Sequence, residues 1–335
     1  MSKYFWLPSA AAIAIVAILA FTGPSAQAQA NYTSNFPSHP MRMIIPFAAG
    51  GPTDIVGRIM GAKMSEILGR QIVVEDRAGA GGNIGADYVA KSAPDGYTML
   101  MATVSTNAIN PGLYRHMPYD AIRDFAPLGR VGVTPTLLMA NLSLPVTDVK
   151  SLVTLIKANP GKYSFGSSGV GSILHLCGEE FKADAGGLDL VHVPYKGSAP
   201  MDTDLLGGQI AVAFDATPTA MPLALAGKVR ALGAGMAKRI PAMPNLPTLQ
   251  EQGIKGFECY TWNAILAPAG TPKPIVDKLN AAINTSLADP KVSSALEKTG
   301  IDPTPGSTPQ STADFIAAEL KKWAPIIKAS GARVD

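Results

Sequence analysis

Five times along this chain a short apolar run of strand character empties into Gly, Ser, Thr or Pro and then into a helix start. The runs are IIPFAAGGPTDIVGRIM from Ile44, MLMATVSTNAINPGL from Met99, YSFGSSGVGSILHL from Tyr163, VHVPYKGSAPM from Val191 and AVAFDATPTAM from Ala211. Units of this make place backbone N–H groups and hydroxyls at the C-terminal edge of a parallel sheet, where helix starts carry partial positive charge and unpaired donors. Such an edge holds an anion; by itself it neither cuts nor oxidises one.

The pattern predicts a strand over 41–47 and then an amphipathic helix, with Ile55, Val56, Ile59, Met60, Lys63, Met64, Ile67 and Leu68 at helical spacing and Gly69 as its stop. A strand over 71–75, a glycine loop over 78–82, a helix to Lys91 and a strand over 97–102 complete a βαβαβ unit of the parallel α/β class. Thr147 is expected to cap a helix over 148–158. A second unit has strands over 163–166, 190–193, 210–214 and 229–232, with helices near 200–206 and 219–226. A strand over 260–267 leads into three terminal helices that are expected to pack back on the first unit. The order implies one lobe from residues 31–138 and 262–335, an inserted lobe over 139–261, two crossovers and a cleft between the loop-bearing edges.

Composition narrows the class. With 335 residues, 47% hydrophobic and 16% charged, the chain is globular and long enough for two domains. Its first 30 residues read as an export signal: Lys3, an apolar stretch over 6–21 and a small-residue cleavage pattern ending at Ala28 or Ala30. An uncleaved anchor is the alternative, and the small-residue exit argues against it. Removal of that segment takes away Lys3 alone and moves the net charge from +3 to +2, too little for nucleic acid or anionic lipid. The mature protein is expected to be periplasmic, soluble and monomeric. Cys177 and Cys259 are free to pair in an oxidising compartment, but a core of this size needs no staple, so unpaired thiols are the expectation.

Candidate chemistry lies in the loops. Gly51, Pro52 and Asp54 suit N-cap, N1 and N3 of a helix, which explains Thr53 and Asp54 as well as ligand contact does; Ala48, Ala49, Gly50 and Gly51 are expected to leave bare backbone for a carboxylate. In the loop over 166–172, three glycines and three serines precede a helix, more small residues than a tight turn needs, and ligand contact is the favoured reading. His175 reads as a packed or capping residue rather than a ligand, Lys196 equally as a counter-charge or a solvated lysine, and Asp215 as a helix cap or an acceptor from a ligand hydroxyl.

Absences weigh as much. The chain has no phosphate loop, Gly79–Ile84 misses the dinucleotide fingerprint at its last glycine, and Val170 stands where a nucleophile elbow around Ser168 requires Gly. His39, His116, His175 and His192 show no metal spacing. No catalytic residue, metal or cofactor is expected. An exported hydrolase using Ser168 or Ser172 with His175, and a ligand-responsive sensor component, remain the rivals to a transport role.

The runs PFAAGGPTDIVGR, VEDRAGAGGNIGADYVAKSAPDGYTML, INPGLYRHMPYDAIRDFAP, SSGVGSILHL, VHVPYKGSAPMDTDLLGGQ and LAPAGTPKPIVDKLN resemble the Bug family, extracytoplasmic solute-binding proteins of tripartite tricarboxylate transporters. The likeness covers residues 41–330. It implies a two-domain α/β periplasmic binding protein of the Venus-flytrap type, type II-like, that encloses a small carboxylate and hands it to integral-membrane transporter subunits. Aliphatic di- and tricarboxylates and aromatic acids such as terephthalate all fall within the family. Carried onto this sequence, the resemblance assigns the proximal carboxylate to Ala48, Ala49, Gly50, Gly51, Thr53, Asp54, Ser168, Gly169 and Ser172. The rest of the solute falls to Thr103, Ser105 and Asn107 in the loop over 103–107, with Tyr195 and Asp215. That loop departs from many relatives and faces the variable end of the solute.

Overall fold

One strand belongs to both halves of the molecule. In a computed structural model, which describes Met1, residues 35–330 and residues 333–334, strand β4 (Phe125–Ala140) runs for 16 residues and changes partners midway. From Phe125 to Pro135 it pairs antiparallel with β9 (Tyr260–Pro268); from Thr136 to Ala140 it pairs with β7 (Val212–Ala216) and β8 (Arg230–Ala234). The stretch read as an export signal, with its expected cleavage site, lies outside the described residues apart from Met1. No helix among the described residues is long and apolar enough to cross a membrane.

On one side of this handover lie β1 (Met41–Ile45), α1 (Pro52–Leu68), β2 (Ile72–Asp76), α2 (Asn83–Ala90) and β3 (Thr98–Thr103). Strand β1 pairs parallel with β2 and β3, and β3 pairs antiparallel with β9. A π-helical turn (Ser105–Ile109) and the short α3 (Asn110–Leu113) follow β3. On the other side are α4 (Val149–Lys157), β5 (Tyr163–Ser167), α5 (Ile173–Asp184), β6 (Leu190–Pro194), α6 (Ser198–Leu206), β7, α7 (Thr217–Leu225) and β8. Here β5 pairs parallel with β6 and β7. The strand order β2-β1-β3-β9-β4-β7-β5-β6 gives two α/β lobes joined through β4 and through the chain that enters β9. Each lobe is a mixed sheet, parallel apart from the crossover strands. The terminal helices α8 (Lys273–Ala288), α9 (Pro290–Lys298) and α10 (Pro309–Ser330) return to the first lobe, where α8 packs on α1 and β4. A two-residue strand β10 (Asp302–Pro303) separates α9 from α10 and pairs with β4.

Most elements form where spacing places them. Helix α1 ends at Gly69, whose φ of 66° is the left-handed stop that glycine supplies without a Cβ clash. Strand β4 had no such signal. Pro127, Gly129, Gly132 and Pro135 interrupt its apolar pattern, and the pairing with β9 shifts register between Pro127 and Gly129 and again between Arg130 and Gly132. The cap of α4 is Asp148 and not Thr147: its carboxylate accepts from Ser151 N while the Ser151 hydroxyl reaches back, a full capping box.

The cysteines correct another expectation, since Cys177 on α5 is disulfide-bonded to Cys259, one residue before β9, with Cα atoms 5.8 Å apart. Both are fully buried. Sequence spacing of 82 residues says nothing of this; the crossover brings the two together.

Candidate functional site

Four helix starts meet at one small cavity between the lobes. Pro52 and Thr53 of α1, Ile173 and Leu174 of α5, Ser198 of α6 and Ala216 at the N-cap of α7 all line it. Thr103 and Ser105 close it from the end of β3, Ser168 from the loop after β5, Phe47 from the loop after β1 and Thr261 from β9. Its volume is about 30 Å³, room for roughly two water-sized groups. No lining side chain carries a formal charge. The first N–H groups of a helix have no intrahelical acceptor, and α1, α6 and α7 begin without a side-chain cap. The cavity therefore faces the positive ends of four helix dipoles with no charged side chain in its lining.

Outside it a cleft of about 700 Å³ shares Phe47 and Ser168 with the inner cavity. Its walls include Gly79–Gly82 and Tyr114 from one lobe, and Gly169, Val170, Tyr195 and Lys196 from the other. The lobes touch across this region. Ala48 N–H donates to the Lys196 carbonyl at 3.2 Å, Tyr114 Oη–H to the Val170 carbonyl at 3.0 Å and Ile173 N–H to Ser105 Oγ at 3.0 Å.

Of the residues singled out in the sequence, Thr53, Thr103, Ser105 and Ser168 line the inner cavity, and Gly169 and Tyr195 line the outer cleft. Tyr195 Oη–H donates to Asp204 at 2.6 Å, and burial pushes this phenol up to about 12. The others line neither space. Ala48, Gly50 and Gly51 give their N–H groups to protein acceptors, to Lys196 O, Asp54 Oδ2 and Ala48 O, so the loop after β1 is braced rather than bare; Ala49 is exposed. Asp54 is that brace and also meets Arg58 at 2.7 Å. Asn107 is fully buried, its amide donating to the Ala121 carbonyl and its oxygen accepting from Thr106. Ser172 Oγ caps α5 by accepting from His175 N. Asp215 is fully buried behind Ser198 and accepts from the Ser198 and Thr219 hydroxyls.

Phe47, Ile173, Leu174, Ser198, Ala216 and Thr261, with the helix-start Pro52, complete the lining without having been read as ligand contacts. Ser198 and Ala216 were legible as residues just past a strand in two of the repeated runs, whereas Thr261 carries no local signal, since only the crossover of β9 brings it in. Among the described residues, no Ser-His pair faces the cavity. Ser167 Oγ and His192 Nε2 lie 2.7 Å apart, but Ser167 has no exposed surface and also bonds Gly169. His192 stacks on His175 and Phe165, and burial with His175 and Lys182 nearby pushes it down to about 3.

Two lobes joined by crossing strands around a cavity without charged side chains have the architecture of a solute-binding receptor. Residues 56–332 match the model of the tripartite tricarboxylate transporter family receptor, and the chain belongs to that family. It is 37% identical to protein BugT of Bordetella pertussis over 300 residues, 89% of this chain and 91% of that one. Among solved structures, a Rhodopseudomonas palustris protein with adipate shares 38% identity at a TM-score of 0.86 and covers 89% of this chain and all of its own. The protein MatC of the same organism, with bound malate, shares 31% identity at a TM-score of 0.84, with 87% of this chain and all of its own covered.

Proposed function

We propose that this protein is a periplasmic receptor that captures a small di- or tricarboxylate between its lobes and delivers it to the membrane subunits of a tripartite transporter. The observation that carries the reading is the convergence of four helix starts, three without a side-chain cap, on a cavity free of charged side chains. Neutral donors aimed at one carboxylate make charge-assisted bonds of about 1.5–3 kcal/mol each, enough in sum for micromolar affinity without an arginine clamp.

In this reading the lobes divide where β4 changes partners and where the chain enters β9, within a few residues of 138–139 and 261–262. One carboxylate occupies the inner cavity against Thr53, Thr103, Ser105 and Ser168, and the remainder of the solute extends past Phe47 toward Gly169 and Tyr195. Adipate and malate in the two relatives support an open-chain acid over an aromatic one such as terephthalate. The receptor acts as a monomer after its export signal is removed, and the membrane subunits recognise the form whose lobes have met.

A thermal-shift screen over mono-, di-, tri- and aromatic carboxylates, followed by calorimetry on the best, tests the proposal. A solute at a hundredfold excess over its Kd adds about 2.7 kcal/mol of stability. A flat response across every acid class overturns the reading.

A further inference from the structure

Ser198 is the first residue of α6, and its hydroxyl has one proton to give. That proton is committed: Ser198 Oγ–H donates to Asp215, a carboxyl with no exposed surface whose other oxygen accepts from Thr219. Asp202 lies one helical turn beyond Ser198 on the same face of α6 and is buried against Asp215. Among the described residues no donor reaches Asp202 Oδ1. Two acids buried together cannot both ionise, so the proton of the pair sits on Asp202 and points at Asp215. Burial and the neighbouring Asp215 hold Asp202 far above the ordinary carboxylate range, in accord with this assignment. Asp215 is thereby left an acceptor on every side, and Ser198 has no alternative but to donate to it.

Toward the cavity Ser198 therefore offers lone pairs. Its own backbone N–H belongs to the first turn of α6, and that nitrogen lies 4.0 Å from where a Cβ on Gly51 would stand, facing the start of α1. Donors for a carboxylate and one acceptor for a hydroxyl thus sit side by side in a space of about 30 Å³. We propose that Ser198 is a specificity-determining residue that selects carboxylates bearing a hydroxyl beside the bound carboxylate, by accepting the solute's O–H in its Oγ. A second bare carboxylate oxygen set against Ser198 Oγ would face lone pairs with lone pairs, and an unpaired buried acceptor is costly.

The inference rests on the carboxylate-receptor reading and deepens it. Its test is calorimetry on three matched pairs that differ by the hydroxyl alone: malate and succinate, 2-hydroxyglutarate and glutarate, citrate and tricarballylate. For at least one pair the native protein is expected to prefer the hydroxy acid by tenfold or more. In Ser198→Ala that preference falls below threefold whatever the change in absolute affinity for the two acids, a readout that a merely misfolded variant, binding neither, would not give. Equal binding of both members of every bound pair by the native protein overturns this inference alone, as does a preference that survives in Ser198→Ala. If no acid of either kind binds the native protein, the receptor reading falls and this inference with it.

Discussion

The Tyr114 hydroxyl donates to the Val170 carbonyl at 3.0 Å, tying the residue that follows α3 in one lobe to the glycine-rich loop of the other. Loss of such a bond costs about 0.5–1.5 kcal/mol. Because it joins lobes and not layers of one core, the cost falls on lobe contact. Tyr114→Phe is expected to weaken solute affinity about threefold to tenfold in calorimetry while the Tm of the solute-free protein changes by no more than a degree or two.

Gly81 marks the same meeting point. Its φ is +61°, and a Cβ there would stand 2.6 Å from the Val170 carbonyl oxygen across the cleft. Gly81→Ala sets a methyl group between the lobes at a local backbone cost of about 1–2 kcal/mol. The expected outcome is a loss of solute affinity of tenfold or more, with only a modest fall in Tm. Unchanged affinity together with a collapsed Tm would assign this glycine to its own turn instead.

The Cys177–Cys259 bridge closes a long loop, and cross-links of this kind typically contribute about 2–4 kcal/mol. The paired replacement Cys177→Ala and Cys259→Ala, or reduction in mild denaturant, should lower the midpoint of chemical unfolding by that order. Neither sulfur lines the inner cavity, so affinity measured well below the Tm should stay within a factor of two or three of native.

His192 gives the fold an acid-side weakness. The folded ring is pushed down to about 3 by burial, His175 and Lys182, whereas in the unfolded chain it takes its proton near pH 6.5. The unfolded state binds more protons between these values, so this contribution to stability is whole above about pH 6.5 and is lost progressively as pH falls toward 3. Buried Asp202, held high, works in the opposite sense in both proteins, so the test is a difference: between pH 7.5 and 4 the Tm of His192→Gln should rise relative to that of the native protein, while His175, whose pKa burial also lowers, keeps its smaller share.

How much of this the sequence disclosed depends on the range of the forces involved. Helix α1 and the loop-to-α5 junction were legible because 3.6-residue spacing, a glycine stop and a cluster of small residues are local matters. Strand β4 was not, because prolines and glycines that signal loops elsewhere here accommodate two register shifts inside a ladder. The runs of small residues do mark loops that line the cavity, but not which of their groups face it. Ala48, Gly50 and Asp54 spend their polar groups on one another and on the opposite lobe, and Asp215 acts through Ser198. A list of small and polar residues cannot tell a hydroxyl that faces the cavity from one that caps a helix, as Ser168 and Ser172 show four residues apart.

The passage of β4 through both lobes makes the joint between them a hydrogen-bonded strand. A joint made of loose chain swings freely; a ladder that changes partners at Pro135 and Thr136 has to be wrung like a leaf spring. Any twist of one lobe on the other therefore strains paired backbone and not slack chain.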